Sequence, residues 1–234
     1  MRSYRQLLID IPIIEERLSY VFHKKELLTT AFIHTSFYHE RKQEVIESNE
    51  RMEFLGDSIL GLLMAEYLYQ RFPASPEGEL AALQARLVDA TMCARFVRQL
   101  HVVEFLLLGK GELRQNGLEK ESLQADLLEA ILAAVYIDGG LQSAQKFFAC
   151  HFVPEILKAL QEPALNWKTE LQDFMQKTYQ QLPVYHVLQE QGPDHSKVFE
   201  MGVLFEGKII GRGEGGSKKE AEQRAAKQAL EAFR

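Results

Sequence analysis

Two segments of this 234-residue chain place acidic residues on helices that are otherwise apolar. The first is NERMEFLGDSIL, from Asn49 to Leu60, and the second is ADLLEAILAAVYIDGG, from Ala125 to Gly140. A helix that is apolar nearly all round is typical of a buried core. A carboxylate buried without a partner costs several kcal/mol or gives up its charge. The two segments therefore predict a helical core in which the acids need a common ligand, and a divalent cation is the simplest one.

The acids of each segment share a helix face. At about 100° per residue, Glu50, Glu53 and Asp57 fall within about 60° of one another. Asp126 and Glu129 are three residues apart, so they are also neighbours on a helix surface. Hard oxygen ligands in a water-poor site suit Mg²⁺ or Mn²⁺. Any one of these acids could instead be solvated or ion-paired, and Glu50, at a helix start, could simply favour the helix dipole.

The composition narrows the class of protein. Hydrophobic residues make up 46% of the chain, which is too many for disorder, and no apolar run reaches the roughly 18 residues of a membrane span. The first residues lack a small-residue cleavage site, and two cysteines are too few for a disulfide framework, so we expect a cytoplasmic location. A net charge of −6 argues against indiscriminate nucleic-acid binding. Contact with nucleic acid would need a local patch or bound metal ions.

The hydrophobic period changes near Pro154–Pro163, which predicts two domains and an α+β fold. Residues 1–155 are expected to form an all-helical domain, and residues 164–234 a small α-β-β-β-α domain. The predicted helices of the first are Ile13–Val21, Lys25–Ile33, Glu50–Phe72, Pro76–Leu87, Ala90–Gln99, Gln124–Asp138 and Leu141–Phe148, with a stop at Gly139-Gly140. The second is predicted to hold a helix at Trp167–Tyr179 capped by Asn166, strands at Val184–Glu190, Val198–Phe205 and Lys208–Gly213, and a helix at Ser217–Phe233.

The last helix begins with two lysines. Ser217 and Glu220 form a capping box that fixes the helix start and puts Lys218 and Lys219 in its first turn. Cations there oppose the helix dipole, but a bound phosphate reverses that sign. The preceding glycine-rich run, residues 211–216, would let a backbone approach closely. Solvated surface lysines would show the same pattern.

Two weaker signals lie in the same predicted domain. His195 is in the loop GPDH between the first two strands, where it could bond a sugar hydroxyl, although an ordinary turn would look the same. Gln172 lies on the outer face of the preceding helix. Helices and a loop that reach phosphates and 2′-hydroxyls read duplex RNA by its shape.

Over nearly its whole length the chain resembles bacterial ribonuclease III. The segment NERMEFLGDSIL resembles the signature of that family, and LGKGE (Leu108 to Glu112) and ADLLEAILAAVYIDGG are similar to its later blocks. The tail resembles a double-stranded-RNA-binding domain. Its segments KTELQDFMQ, GPDH and SKKEAEQRAA stand where that family has its three contact regions.

The resemblance implies a homodimeric endonuclease that dimerises through the signature helices, with Phe54 packing into the partner. It implies Mg²⁺, with Mn²⁺ able to substitute, no organic cofactor and no membrane. The implied metal ligands are Glu53, Asp57, Asp126 and Glu129. The implied catalytic residues are Asp57, Glu129, Glu50 and Glu77, with Lys110 near the scissile phosphate. The implied RNA contacts are Gln172, His195, Lys218 and Lys219.

The implied reaction is metal-dependent hydrolysis of double-stranded RNA that leaves 5′-phosphate and 3′-hydroxyl ends, with ribosomal RNA precursors and structured mRNA as substrates. Three departures from the family pattern are visible. Ala81 and Ala82 stand where many members of the family have a hydroxyl and a basic residue. The loop 112–121 lacks part of the glycine-rich, basic sequence that is usual there. Glu222 occupies a position that is often basic. None of them removes a predicted metal ligand.

Two other functions remain open from the sequence. A helical dimer could hold duplex RNA without cutting it, although silent proteins of that kind typically lose the metal carboxylates, which this chain keeps. A phosphohydrolase acting on small nucleotides is the other alternative, and a separate RNA-reading domain argues against it.

Overall fold

A computed structural model describes residues 2–161, 167–191 and 197–233. The chain divides into two compact units. The first extends to Gln161, and the described part of the second begins at Trp167. The first unit is helical, and the second combines helices with a three-stranded sheet, so the predicted α+β fold class is confirmed.

The first unit is built from helices around one apolar core. Short 3₁₀ turns at Val103–Phe105 and Gly117–Glu119 lie on either side of the seventh helix. The helices are α1 (Tyr4–Leu18), α2 (Lys25–Ala31), α3 (Thr35–Glu40), α4 (Glu50–Arg71), α5 (Glu77–Leu87), α6 (Ala90–Leu100), α7 (Lys110–Arg114), α8 (Glu121–His151) and α9 (Val153–Gln161).

Helix α8 forms the centre of the first unit and packs along α4 and α6. Its residues from Leu127 to Val135 are almost all fully buried. It is also the one helix within the described ranges that is long and apolar enough to cross a membrane, and half of that apolar stretch is buried in the unit. We therefore interpret α8 as a core helix.

The structure departs from the sequence prediction in several segments, among them α3 and α7, which were not predicted as helices. Helix α1 spans Tyr4–Leu18 and contains Pro12, whereas the sequence prediction placed this helix at Ile13–Val21. The predicted break at Gly139-Gly140 is present as a kink in α8, where Gly140 has non-helical backbone angles with φ +72° between two helical segments. Helix α9 occupies the segment expected to carry the domain boundary, with Pro154 in its first turn, where proline is tolerated.

The second unit has the predicted α-β-β-β-α order. Its elements are α10 (Trp167–Tyr179), β1 (Val184–Gln191), β2 (Val198–Phe205), β3 (Lys208–Gly215) and α11 (Lys218–Phe233). The sheet is antiparallel in the order β1-β2-β3. Glu206 and Gly207 both have positive φ, as a tight hairpin turn requires.

The two helices cover one face of this sheet. Leu171 and Met175 of α10 meet Met201 and Val203 of β2 in the core, together with the alanines of α11. A Cβ atom at Gly213 would lie 2.3 Å from the Ala225 nitrogen. The sequence analysis expected this glycine-rich run to let a backbone approach closely, and the backbone that does so is that of α11.

Candidate active site and RNA-binding surface

The acidic residues of the two helical segments meet where α4 crosses α8. The crossing is very close, because a Cβ atom at Gly56 would lie only 1.9 Å from the carbonyl oxygen of Glu129. Glu53 and Asp57 lie on either side of Gly56 in the chain, and Asp126 lies one helical turn before Glu129. The glycine therefore allows two pairs of carboxylates, one from each helix, to approach one another.

The pKa values of Glu53, Asp126 and Glu129 indicate that these three carboxyl groups share one electrostatic environment. Burial raises the pKa of Glu129 to about 8, with further contributions from Asp57, Asp126 and Glu53. Burial and the charge of Glu53 raise the pKa of Asp126 to about 6. The pKa of Glu53 is raised by burial and then by Glu50 and Asp57. Each group therefore resists ionisation while its neighbours are charged.

No positive charge offsets this repulsion within the described part of the chain. None of Glu53, Asp57, Asp126 and Glu129 forms an ion pair there. In the same residues, no three His, Cys, Asp or Glu side chains are arranged to hold a metal ion as they stand. The donor set nevertheless fits a hard divalent cation, because it offers oxygen ligands with unbalanced negative charge.

The sequence prediction that these acids are buried is wrong for the single chain. Asp57 and Glu50 are exposed, and Glu53, Asp126 and Glu129 are half-buried. The reason lies in α4, whose outer side carries Phe54, Leu62 and Tyr69 at 79%, 55% and 74% exposure. An apolar helix was taken as a sign of a core, but this helix keeps one apolar side on the surface.

The two accessory acids, Glu50 and Glu77, lie in different surroundings. The charge of Glu50 acts on Glu53, so Glu50 belongs to the same cluster. Glu77 is exposed at the start of α5 and lines a groove between α4 and α5. The groove is also lined by Leu62, Ala65, Glu66, Leu68, Tyr69, Leu80, Ala81 and Gln84.

Helix α3 holds the segment that carries Lys110. The backbone N–H of Lys110 donates to Glu40 Oε1 at 2.8 Å, and that of Gly109 donates to Ser36 Oγ at 2.9 Å. Sequence reasoning missed Glu40 and Ser36, because their partners lie about 70 residues further along the chain. No local pattern indicates such a contact.

In the second unit, three of the four predicted RNA contacts are exposed side chains on helices. Gln172 is on α10, and Lys218 and Lys219 open α11. His195 lies outside the described residues. The predicted cap is present, since Ser217 Oγ accepts from the Glu220 N–H at 3.2 Å.

The Glu222 departure has a local explanation. Its carboxylate pairs with Lys168 Nζ at 2.6 Å, and this ammonium also lies 4.5 Å from the centre of the Tyr185 ring. The acid at position 222 therefore binds a cation of α10 across the helix pair. Burial, followed by the charge of Glu222, raises the pKa of the Tyr185 hydroxyl.

Comparison with known proteins agrees with this description of both units. Residues 24–156 match the family model Ribonuclease-III-like, and residues 167–232 match the model Double-stranded RNA binding motif. Ribonuclease 3 of Protochlamydia amoebophila is 49% identical over 230 residues, which cover 98% of this chain and 95% of the relative. Ribonuclease 3 of Pseudothermotoga lettingae is 42% identical over 230 residues, which cover 97% of this chain and 95% of the relative.

A solved structure resembles the first unit. The nuclease domain of ribonuclease III from Campylobacter jejuni is 34% identical and superposes with a TM-score of 0.57, covering 63% of this chain and 99% of that domain. Its description concerns flexibility in a region involved in dimer formation. With both domain models matched in order and relatives similar over nearly the full length, the chain belongs to the ribonuclease III family.

Proposed function

We propose that this protein is an endoribonuclease that cleaves double-stranded RNA by divalent-metal-dependent hydrolysis, leaving 5′-phosphate and 3′-hydroxyl ends. The observation that supports it best is the meeting of uncompensated carboxylates from α4 and α8 in a chain that also carries a double-stranded-RNA-binding unit. A domain that only held RNA would have no need to keep mutually repelling acids together.

The residues that would hold the metal are Glu53, Asp57, Asp126 and Glu129, with Mg²⁺ as the expected ion and Mn²⁺ as a substitute. A bound ion of this kind lowers the pKa of water and stabilises charge on phosphoryl oxygens. Asp57 and Glu129 would be the catalytic residues closest to the reaction, and Glu50 and Glu77 would have supporting roles. The raised pKa values of Asp126 and Glu129 mean that these groups release protons as the ion binds.

Binding of the duplex would fall mainly to the second unit, because the acids of the first unit repel RNA until they are neutralised. Gln172, His195, Lys218 and Lys219 would contact phosphates and sugars. Lys110, held by α3, would approach the scissile phosphate. Ribosomal RNA precursors and structured mRNA are the proposed substrates, and the cytoplasm is the proposed location.

The active form would be a homodimer formed through α4. Phe54, at 79% exposure, is the most exposed of the large apolar side chains on this helix, which is the pattern expected of a residue that enters a partner. Dimer formation is also part of the description of the Campylobacter jejuni nuclease domain. Two active sites in one dimer would suit a two-stranded substrate.

The test replaces Glu129 with Gln and measures both gel-shift binding and cleavage of one long RNA duplex in Mg²⁺. We expect binding to persist and cleavage to be lost. Glu121→Gln is the matched control, because Glu121 lies on the same helix but pairs with Arg98 outside the cluster. Unimpaired cutting by Glu129→Gln would refute the assignment, and absence of cleavage by the unmodified protein would favour the RNA-holding alternative.

A further inference from the structure

Glu190, near the end of β1, holds two lysines of the RNA-binding unit. Its carboxylate lies 3.0 Å from Lys218 Nζ and 3.2 Å from Lys197 Nζ. Both ammonium groups also lie over the ring of Phe199, at 5.4 and 5.9 Å from its centre. Phe199 is the residue directly opposite Glu190 in the β1–β2 register. One carboxylate thus gathers cations from the base of the β1–β2 loop and from the start of α11.

The position of Lys218 explains why a carboxylate is favourable there. Lys218 is the first residue of α11, where the helix dipole disfavours a cation. Hydrogen bonds from Lys218 and then Lys197 lower the pKa of Glu190, so the acid stays ionised near neutral pH. In the free protein, Glu190 therefore supplies the negative charge that a phosphate would supply in the complex.

We propose that Glu190 competes with RNA phosphate for Lys218, and that it holds the affinity of this protein for duplex RNA below the value that its lysines alone would give. The inference rests on the proposed function, in which Lys218 contacts RNA. The added residue is Glu190, which need not contact RNA because it acts through Lys218.

The geometry allows the exchange to take place. The Lys218 side chain is 55% exposed, so it can leave the carboxylate without disturbing the core. Ion pairs at such exposed positions are weak, and their loss changes an equilibrium by about two- to five-fold. Binding that exchanges one ion pair for another also releases fewer net ions, which makes affinity less dependent on salt.

The experiment compares the full-length chain with its Glu190→Gln variant. Dissociation constants are measured for an RNA duplex of about 20 base pairs, long enough for the roughly 16 that one such domain spans, in EDTA so that no cleavage occurs. We expect Glu190→Gln to bind about two- to five-fold more tightly, with a steeper dependence on salt. Equal or weaker binding would overturn the proposal.

A matched control separates this effect from a general loss of negative charge. Glu200 lies on β2 of the same sheet and pairs with Arg212 at 3.2 Å. The Glu200→Gln variant should bind RNA as the unmodified protein does. A gain in affinity equal to that of Glu190→Gln would mean that any removed acid has this effect, and the proposal would fail.

A double-mutant cycle identifies the lysine through which Glu190 acts. Lys218→Ala should weaken binding, and adding Glu190→Gln to it should bring little further change. If the full gain persists without Lys218, or if Lys218→Ala binds normally, Glu190 does not act through this lysine. Failure of the proposed function is a separate outcome, in which the unmodified protein binds no duplex RNA at all.

Discussion

Helix α8 carries carboxylates of two kinds, about three helical turns apart. Near its start, Asp126 and Glu129 are half-buried, have raised pKa values and form no ion pair within the described residues. Further along, the Asp138 side chain is completely shielded from water. It accepts hydrogen bonds from the Tyr20 hydroxyl and from the backbone N–H groups of His23 and Lys24.

The difference lies in the compensation of charge and not in the depth of burial. Burial alone would raise the pKa of Asp138, but its hydrogen bonds, led by those from the His23 and Lys24 backbone, lower it overall. Glu155 behaves in the same way, since Lys158 and Arg95 more than offset its burial. Asp138 and Glu155 are therefore structural acids. Asp126 and Glu129, which form no ion pair within the described residues, are the candidates for chemistry.

The largest test of this comparison is Asp126→Asn. Loss of a metal ligand should reduce cleavage of duplex RNA by more than about 100-fold, since even outer-shell partners are worth about 10- to 100-fold. The melting temperature without metal should not fall, because the variant also loses a repelling charge. A steady-state cleavage assay and thermal melting measure the two effects, and a variant that melts much lower would show that Asp126 is structural.

The second test concerns the exposed side of α4, where a second chain would change the surroundings of Glu53 and Asp57. Phe54→Ala should weaken self-association by about 2–4 kcal/mol, the range of an interface hot spot. Sedimentation velocity across a range of concentrations would show the shift toward monomer. Leu182→Ala serves as the control, because Leu182 is 54% exposed but lies in the other unit. An unchanged dimer would place the interface elsewhere.

The third test concerns Asp138, the other acid of α8, for which we expect the reverse of the Asp126→Asn result: a loss of stability without a loss of cleavage. Asp138→Asn should lower the free energy of unfolding by about 2 kcal/mol, because several hydrogen bonds to a buried carboxylate are weakened or left unmade. Cleavage well below the melting temperature should remain close to that of the unmodified protein. Denaturant titration gives the stability, and a large loss of activity in a folded Asp138→Asn protein would break the comparison.

The smallest effect is on the pH dependence of stability. Asp126 and Glu129 have folded-state pKa values of about 6 and about 8, above their ordinary values, so the folded state binds more protons between about pH 4 and pH 8. Without metal, stability should therefore fall as the pH rises through this window. Water screens these half-exposed groups, so we expect a loss of about 1–2 kcal/mol.

Thermal melting in EDTA across this pH range measures that loss, and Glu129→Gln should remove much of it. Asp138 and Glu155 have lowered pKa values, so their contribution has the opposite sign: it is present near neutral pH and is lost as the pH falls below about 4. A melting temperature that stays flat from pH 5 to pH 8 would contradict the coupling of the site acids.

The sequence predicted best what depends on neighbouring residues. The strand Val198–Phe205 and the helix Trp167–Tyr179 have the predicted bounds, because alternation and helical period are local signals. The capping serine at 217 also acts as expected, although the Glu220 carboxylate accepts from the Gly216 N–H rather than from Ser217. Spacing on a helix likewise selected the acids that the structure brings together.

Two kinds of information were out of reach of the sequence. Contacts between distant residues, such as Glu40 with Lys110 or Glu190 with Lys218, leave no periodic pattern. The exposure of Phe54 was indicated only by the family resemblance, because the hydrophobic pattern of a side chain that packs against another chain is the same as that of one in a core. The half-buried state of the acids was missed for the same reason, because the apolar residues of α4 were all taken to lie in a core.

Gly56 has a consequence that extends beyond its own position. With hydrogen as its side chain, it lets the α4 backbone touch the α8 backbone at Glu129. A single methyl group would act as a wedge and spread the four oxygen donors, and displacements near 1 Å can already cost two orders of magnitude in rate. The distance between the carboxylates that would bind the metal ion therefore depends on the absence of a Cβ atom at Gly56, a residue that takes no part in the reaction.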